Sequence, residues 1–272
     1  MPKLPIALQI FSVRNQVTAD LAGTLKEIAA MGYDGVEFYD TGGNTTPEEA
    51  ARLTAQAGLE LISTHYPHGK MEADPEGSMK IINALGAKYV VIPYMNSNLF
   101  ATAEGIQQVV ASVTKIANAA VQAGVTLLYH NHDFEFTPHG DKRALDLLYQ
   151  AVPADLLQCE IDTCWVKVAG IDPAEYLRKY SGRVPLVHLK DFVGVGREDK
   201  YALAGQSAQV TGEGAFDFRP LGMGRQDIPA IVAAAEESGA KWLVVEQDEP
   251  CLDQSPMESA KKSIEYLKSI NV

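Results

Sequence analysis

Histidines in this sequence gather where predicted strands end. Five of the six lie at or just beyond the end of an apolar run, and His139 is the exception. Acidic groups end other such runs, at 160–162 and at 246–248. Imidazoles and carboxylates that converge from separate segments can bind a divalent cation or transfer protons. The sequence therefore predicts one polar site built from several strand ends.

Four consecutive predicted strands, the fifth to the eighth, each end in a group that can bind a metal. A single His or Glu at a strand end is more often a surface or capping residue, but four in succession favour a shared site. Two imidazoles with two carboxylates suit Mn, Zn, Co or Fe(II), and suit Mg less well. The predicted ligands of one divalent ion are His130, Asp162, His188 and Glu246.

Strand alternation places residues i and i+2 on one face, so Glu160 shares a face with Asp162. We expect Glu160 to lie deeper, beneath the ligands, and Asp162 to be the more exposed of the two. A buried carboxylate without a partner is costly, so a cation or Lys190 is expected beside Glu160.

The elements that must position these groups follow a recurring pattern. An Ala-rich amphipathic segment ends at a glycine, and an apolar run follows within three residues, in 29–38, 55–64, 83–92, 121–130 and 236–246. Glycine just after a helix is the usual left-handed cap. Runs that are apolar on both faces fit a buried parallel sheet.

Three further strands are predicted at 6–10, 156–162 and 184–190. Predicted helices cover 21–31, 47–57, 75–85, 103–123, 141–151, 173–180, 227–238 and 255–270. Eight strands alternating with eight helices predict an α/β fold, a (β/α)8 TIM barrel, as one domain over 1–272. The competing doubly wound open sheet usually carries a Gly-rich turn after its first strand, where this chain has FSVRNQ.

Composition narrows the classes of function. The 272 residues are 46% hydrophobic and carry a net charge of −12, which argues against nucleic acid and anionic membrane surfaces as partners. There is no membrane-length apolar run or signal-peptide pattern, and three cysteines without C-x-x-C imply no disulfide framework. We expect a cytoplasmic protein with a small-molecule substrate, and homo-oligomer formation stays open.

The longest irregular stretch, 192–225, is glycine-rich and would overhang the carboxyl ends of the strands. Its G-E-G (212–214) and G-M-G (222–224) lie where barrels often bind phosphate, but such tripeptides are more often tight turns. With only Arg197, Arg219 and Arg225 nearby, an unphosphorylated sugar is favoured over a phosphorylated one.

Several segments together resemble the xylose-isomerase-like barrel superfamily. The chain is similar to its sugar (phosphate) isomerase and epimerase group, which has relatives among inosose dehydratases. The resemblance is found in the segments LQIFSVR (8–14), GYDGVEFYD (32–40), YHNHDFEF (129–136), EIDTCWVKVAG (160–170), VPLVHLKDF (184–192) and WLVVEQDEP (242–250). The resemblance implies the same four metal ligands.

The resemblance also implies roles for residues around the ion. Glu246, His132 and Lys190 would be catalytic, and Glu135 is a further candidate for proton transfer. The substrate pocket would be lined by Gln9, Arg14, Glu37, His65, Glu135 and Trp165. The expected activity is that of a metal-dependent isomerase or epimerase, which abstracts a proton next to the carbonyl of a small sugar or keto-polyol.

One departure from the family pattern leaves alternatives open. Sugar epimerases of this superfamily usually carry Glu where this chain has His130, and they use it with the strand-eight Glu as paired bases. Because this chain lacks that Glu, a dehydratase that acts on a keto-inositol or 3-keto-glycoside is an alternative. A non-catalytic sugar-binding barrel is another. The DNA-repair endonuclease branch is disfavoured by the net charge of −12.

Overall fold

Eight parallel strands close into a barrel in the computed structural model, which describes residues 3–41, 45–194, 216–251 and 254–272. Each strand pairs with the next along the chain, and the eighth pairs with the first. The barrel strands are β1 (Ile6–Gln9), β2 (Gly35–Tyr39), β3 (Glu60–His65), β4 (Tyr89–Ile92), β5 (Thr126–His130), β6 (Gln158–Asp162), β7 (Leu186–Leu189) and β8 (Trp242–Val245). The predicted (β/α)8 barrel is confirmed, and the closure excludes the open sheet.

Helices surround the barrel and include every helix predicted from the sequence, with bounds that differ by at most three residues. They are α1 (Arg14–Ala19), α2 (Leu21–Met31), α3 (Pro47–Gln56), α4 (His68–Ala73), α5 (Pro75–Leu85), α6 (Ala103–Gln122), α7 (Ala144–Ala151), α8 (Thr163–Val168), α9 (Pro173–Lys179), α10 (Ile228–Glu237) and α11 (Pro256–Ser269). The short α1, α4 and α8 were not predicted, because six residues carry too little periodic signal.

Small elements lie in the loops at the carboxyl ends of the strands. Three 3-10 turns cover Ile10–Val13, Ser97–Ala101 and Phe134–Phe136. Two antiparallel ladders pair Pro138–His139 with Lys142–Arg143, and Asp191–Val193 with Asp217–Arg219. Residues 212–214, one of the two G-x-G tripeptides, lie outside the described residues.

Capping residues fix where the helices begin and end. Thr46 accepts a hydrogen bond from Glu49 N before Pro47, and Ser255 and Glu258 form a capping box at α11. Gly32 ends α2 with φ +93°, a conformation that glycine adopts without a Cβ clash. These local signals explain why the helix bounds were readable from the sequence.

An apolar layer fills the barrel below the polar strand ends. It consists of seven buried side chains from six strands: Ala7, Ile62, Tyr89, Val91, Leu128, Leu186 and Val244. Two residues further along the strands, on the same face, stand His130, His188 and Glu246. The polar groups therefore rest on an apolar floor that keeps water from them on that side.

The opposite strand faces pack against the helices and form the main core. Cys159 lies in that outer layer, and Cys164 packs with Trp165, Phe192 and Phe218. Both thiols are buried and free. Within the described ranges, every helix is too short or too polar to cross a lipid bilayer.

Candidate metal and substrate site

The structure brings the four predicted metal ligands together at the mouth of the barrel. Ligand-type atoms of His130, Asp162, His188 and Glu246 all lie within 4.8 Å of one another. All four side chains are buried, Asp162 and His188 completely. The expectation that Asp162 is exposed was wrong, because α8 starts directly after it and covers the strand end.

The donor set and one buried oxygen fit a divalent cation. Oδ1 of Asp162 caps α8 by accepting from Cys164 N at 2.8 Å and Trp165 N at 3.1 Å. Oδ2 accepts no hydrogen bond, although it is buried. It lies 3.3 Å from Nζ of Lys190 and 3.7 Å from Nε2 of His130. A buried carboxylate oxygen without a hydrogen bond, close to the imidazoles of His130 and His188, fits a metal site.

Each of the two imidazoles in this set faces carboxylates through both nitrogens. His130 presents Nε2 toward Asp162 and Nδ1 to Glu160 Oε2 at 3.0 Å. His188 presents Nδ1 to Glu246 at 3.1 Å and Nε2 to Glu37 at 2.7 Å. A metal-binding histidine is typically oriented by a carboxylate on its other nitrogen. Glu160 and Glu37 take that place here, beneath the ligands.

A second, deeper set of ligand-type atoms shares the same imidazoles. His65, His130, Glu160 and His188 also offer atoms within 4.8 Å of one another. His65 Nε2 lies 2.7 Å from Glu160 Oε2 and 3.1 Å from Glu37 Oε1. Two carboxylates and three imidazoles thus form a closed hydrogen-bonded layer inside the barrel.

Protons balance the charges of this inner layer. Burial alone would lower the pKa of His65, but Glu37 and Glu160 outweigh it and raise the value to about 10. The same two carboxylates raise the pKa of His188 against its burial. Burial, reinforced by Glu37, raises the pKa of Glu160. The partner expected for Glu160 was a metal cation or Lys190, and the structure supplies imidazoles instead.

Lys190 forms ion pairs with three carboxylates at the mouth of the barrel. Its Nζ lies 2.7 Å from Glu246, 3.3 Å from Asp162 and 3.2 Å from Asp248. Burial opposes the charge, but these carboxylates, Asp248 foremost, raise the pKa of Lys190. The side chain is therefore an ammonium group, held at the wall of the pocket.

The pocket above these groups has a volume of about 420 Å³, within the roughly 300–1,000 Å³ typical of small-molecule sites. Its floor includes His65. The segments at the ends of β1 to β4 contribute Phe11, Tyr39, Asp40, Pro67, Pro93 and Tyr94, and those at the ends of β5 to β8 contribute His130, His132, Trp165, Lys190, Glu246 and Asp248. The cavity has one aromatic side and one charged side.

His132 stands on the charged side among aromatic rings. Its ring stacks on Phe134 at 5.6 Å between centroids and meets Tyr94 edge-on. Burial, together with the charge of Lys190, lowers the pKa of His132 to about 3. The imidazole is therefore neutral at physiological pH and can form hydrogen bonds with a hydroxyl group.

Four of the six residues expected to line the pocket lie elsewhere. Gln9 and Glu37 are fully buried below it, and Gln9 donates to Glu37 at 2.9 Å. Glu135 is fully buried and accepts from Tyr129 Oη and His132 N. Arg14 binds the carbonyl of Asp248 at 2.7 Å and the carboxylate of Glu249. These four side chains support the site from below and behind. Of the six expected residues, only His65 and Trp165 line the cavity.

Sequence reasoning also missed residues that do line it. Asp248 follows Glu246 by two residues, so the alternation that was used for Glu160 and Asp162 would have found it. Phe11, Tyr39 and Tyr94 lie in loops or at a strand end, where apolar residues carry no periodic signal of function.

Comparison with known proteins agrees with this fold. The family model described as "Xylose isomerase-like TIM barrel" matches residues 25–270. An inosose dehydratase of Clostridium botulinum (strain Alaska E43 / Type E3) is 24% identical, over 90% of this chain and 87% of that protein.

Solved structures of other proteins share the fold, among them these two. A sugar phosphate isomerase/epimerase from Parabacteroides distasonis ATCC 8503 superposes with a TM-score of 0.78 and 20% identity, over 99% of this chain and 95% of that one. IolI with a bound zinc atom superposes with a TM-score of 0.69 and 16% identity, over 98% of both chains.

Proposed function

The chain belongs to the xylose isomerase-like TIM barrel family and is an enzyme, and on that premise we propose that it removes a proton next to the carbonyl group of a sugar or keto-polyol. We further propose that it then expels a neighbouring hydroxyl group as water, as a dehydratase does. Residues 1–272 would act as one domain.

The observation that carries the proposal is the convergence of four ligands beside an ammonium group and a pocket. His130, Asp162, His188 and Glu246 would hold one divalent ion, with Mn, Zn, Co or Fe(II) best suited to the donor set. When bound, such an ion supplies Lewis-acid stabilisation of negative charge on the carbonyl oxygen. IolI, with its zinc atom, is a solved relative in fold.

Glu246 and Lys190 are the proposed acid–base pair. The charge of Lys190 and the hydrogen bond from His188 lower the pKa of Glu246 despite its burial, so it is ionised and able to accept a proton from carbon. The Lys190 ammonium donates a proton to the leaving hydroxyl. The carbon–hydrogen and carbon–oxygen bonds break, a carbon–carbon double bond forms, and water leaves.

Glu246 and Lys190 are in contact, so both can return to their starting protonation states without the help of another residue. Their atoms lie 2.7 Å apart, which lets the proton gained by Glu246 return to Lys190 after water leaves. Both act from one side of the substrate, and a syn elimination is the expected stereochemistry. His132 lines the pocket and would bind a substrate hydroxyl group.

Isomerisation or epimerisation is the second candidate, since it shares the first proton abstraction. Asp248 favours it, because this carboxylate lines the pocket with a pKa raised to about 6 by burial, against the pull of Lys190. However, Asp248 and Glu246 both contact Nζ of Lys190 and so lie on the same side. An epimerase needs groups on opposite faces, so this arrangement favours elimination over epimerisation.

Incubation of the metal-loaded enzyme in heavy water tests the proposal. Ketoses, keto-inositols and 3-keto-glycosides are offered, and deuterium uptake and loss of water are followed by NMR and mass spectrometry. We expect water loss from one keto-polyol, abolished in Glu246→Gln. Deuterium uptake without water loss would select the isomerase, and full turnover by Glu246→Gln would refute the proposed base.

A further inference from the structure

Two side chains extend the hydrogen bonding of the barrel beyond the ends of β5 and β6. They are Asn131 and Thr163, and both are completely buried. The paired residues of β5 and β6 end at His130 and Glu160, two residues before Asp162. Beyond these pairs, side chains take over the contact between neighbouring strands.

Asn131 binds both main-chain polar groups of Asp162. Its Nδ2 donates to the carbonyl oxygen of Asp162 at 3.2 Å, and its Oδ1 accepts from Asp162 N at 3.0 Å. A side-chain amide carries the same kinds of donor and acceptor as a peptide group. Asn131 therefore replaces the peptide that β5 would offer if the strand pair continued, and it fixes the main chain of Asp162.

The side chain of Asp162 is fixed separately, by α8. Its Oδ1 accepts from the N–H groups of Cys164 and Trp165. With the main chain held by Asn131 and Oδ1 held by the helix, the position of Oδ2 is determined as well. The oxygen that would bind the ion is thus placed by the chain's own hydrogen bonds.

Thr163 makes a similar contact one strand further on. Its hydroxyl group donates to the carbonyl oxygen of His188 at 2.8 Å. Thr163 directly follows Asp162 and is the first residue of α8, so this bond links the start of the helix to β7. The next contact is made by the main chain, since the carbonyl of Leu189 accepts from Glu246 N at 3.1 Å.

These contacts form one series along the four predicted ligands. The residue that directly follows each of the first three ligands bonds to the main chain of the next ligand around the barrel. The positions of neighbouring ligands are therefore coupled. Asn131 and Thr163 do not line the pocket, so they can act on the site only through the ligands that they hold.

We propose that Asn131 and Thr163 are positioning residues, which hold Asp162 and His188 in the arrangement that a divalent ion needs. The proposal rests on the proposed function for the presence of the ion. Ligands that are already in place lose little conformational freedom when the ion binds, which strengthens binding. Without the two side chains, buried main-chain groups would lack partners and the strand ends would shift to find others.

Two substitutions of Thr163 provide the sharpest test. Thr163→Val removes the hydroxyl group at nearly constant shape, and Thr163→Ser keeps it. Chelator competition measures the zinc affinity of the full chain, and the visible spectrum of bound Co(II) reports the arrangement of the ligands. We expect the affinity of Thr163→Val to fall by about 10- to 100-fold with an altered spectrum, and both to be restored in Thr163→Ser.

Thr54→Val is the matched control, because it removes an equally buried hydroxyl group that bonds to Ala50 O at 2.8 Å on α3. Its affinity and spectrum should equal those of the wild type. Wild-type affinity and spectrum in Thr163→Val would overturn the proposal for Thr163. An equal loss in Thr163→Val and Thr163→Ser would also overturn it, since packing and not the hydrogen bond would then be the cause.

Asn131→Ala is tested in the same way, with Asn83→Ala as the control, which removes a side-chain bond to Ala123 O on the exposed surface. Hydrogen exchange of the metal-free chain adds a readout that needs no ion. We expect faster exchange at 162–165 in Asn131→Ala, with lower zinc affinity and an unchanged far-ultraviolet circular dichroism spectrum. Unchanged exchange and affinity would overturn the proposal for Asn131.

The measurements separate the two failures. If the wild-type chain binds neither zinc nor Co(II), the proposed metal-dependent function fails. Hydrogen exchange then still decides whether Asn131 holds the main chain of Asp162. Should Asn131→Ala not fold, the pair Thr163→Val and Thr163→Ser decides the proposal.

Discussion

His188 on β7 and Glu37 on β2 meet across the interior of the barrel, with Nε2 of the imidazole 2.7 Å from Oε1 of the carboxylate. Glu37 is itself fixed by Gln9 at 2.9 Å and Ser63 at 2.5 Å. This contact sets the orientation of His188, whose other nitrogen faces the proposed metal position. Glu37, on the opposite wall of the barrel, thus positions the proposed metal ligand His188, although the two residues are far apart in the sequence.

Replacement of that acid should weaken metal binding without removing a ligand. In Glu37→Gln, the imidazole of His188 loses a charged partner, and we expect metal affinity to fall by about 10- to 100-fold. Chelator competition measures the affinity, with exposed Glu48→Gln as the control. An unchanged dissociation constant in Glu37→Gln would show that His188 is oriented by other contacts.

Removal of one charge from the ligand set should abolish metal loading. Asp162→Asn keeps Oδ1, which caps α8, and replaces only the oxygen that accepts no hydrogen bond. Elemental analysis should find one ion per wild-type chain and far less in the variant, with circular dichroism unchanged. Exposed Asp155→Asn is the control. Full occupancy in Asp162→Asn would remove this residue from the site.

Loss of Lys190 should leave three carboxylates facing one another. Breaking a buried ion pair on one side costs about 3–5 kcal/mol, so urea unfolding of Lys190→Met should report a decrease of that order. Turnover should be lost as well. Lys179→Met is a matched control, since Lys179 pairs with Asp146 away from the pocket and should leave turnover intact. A Lys190→Met variant with wild-type turnover would contradict the proposed acid.

Arg14 should act through the segment that carries Asp248. Arg14→Gln loses the bonds to Asp248 O and Glu249, and we expect faster hydrogen exchange in 246–251 with a several-fold rise in KM. The control, Arg52→Gln, breaks a comparable pair on the exposed surface. If KM rises without any change in exchange, Arg14 contacts the substrate directly.

The stability of the protein should depend on pH through Glu135. Burial raises the pKa of Glu135 from 4.5 to about 8, so the folded state holds a proton that the unfolded state releases. The contribution of the protonated Glu135 to the free energy of unfolding is complete below about pH 4.5 and is lost as the pH rises through 8. The melting temperature of Glu135→Gln, relative to that of the wild type, should therefore rise as the pH is increased from about 5 to 9. The exposed control Glu265→Gln should show no such trend, and a constant difference for Glu135→Gln would disprove the assignment.

Local chemistry made much of this protein readable from its sequence. Glycine caps, proline-started helices and apolar runs predicted the strands and eight of the helices, because each signal acts within a few residues. Chain order in a parallel barrel then places every strand end at one mouth, so the convergence of His130, Asp162, His188 and Glu246 followed from the topology.

How deeply each polar side chain is buried, and which residues it contacts, were decided only by the tertiary structure. Gln9, Glu37, Glu135 and Arg14 have the residue types of pocket groups, yet each is turned toward another segment of the chain. The partner of Glu160 is a set of imidazoles from three other strands. Asp191 accepts hydrogen bonds from the backbone of Gly222 and Gly224, which follow it by more than 30 residues. Such pairings depend on the radius, stagger and side-chain packing of the closed barrel, which no short stretch of sequence encodes.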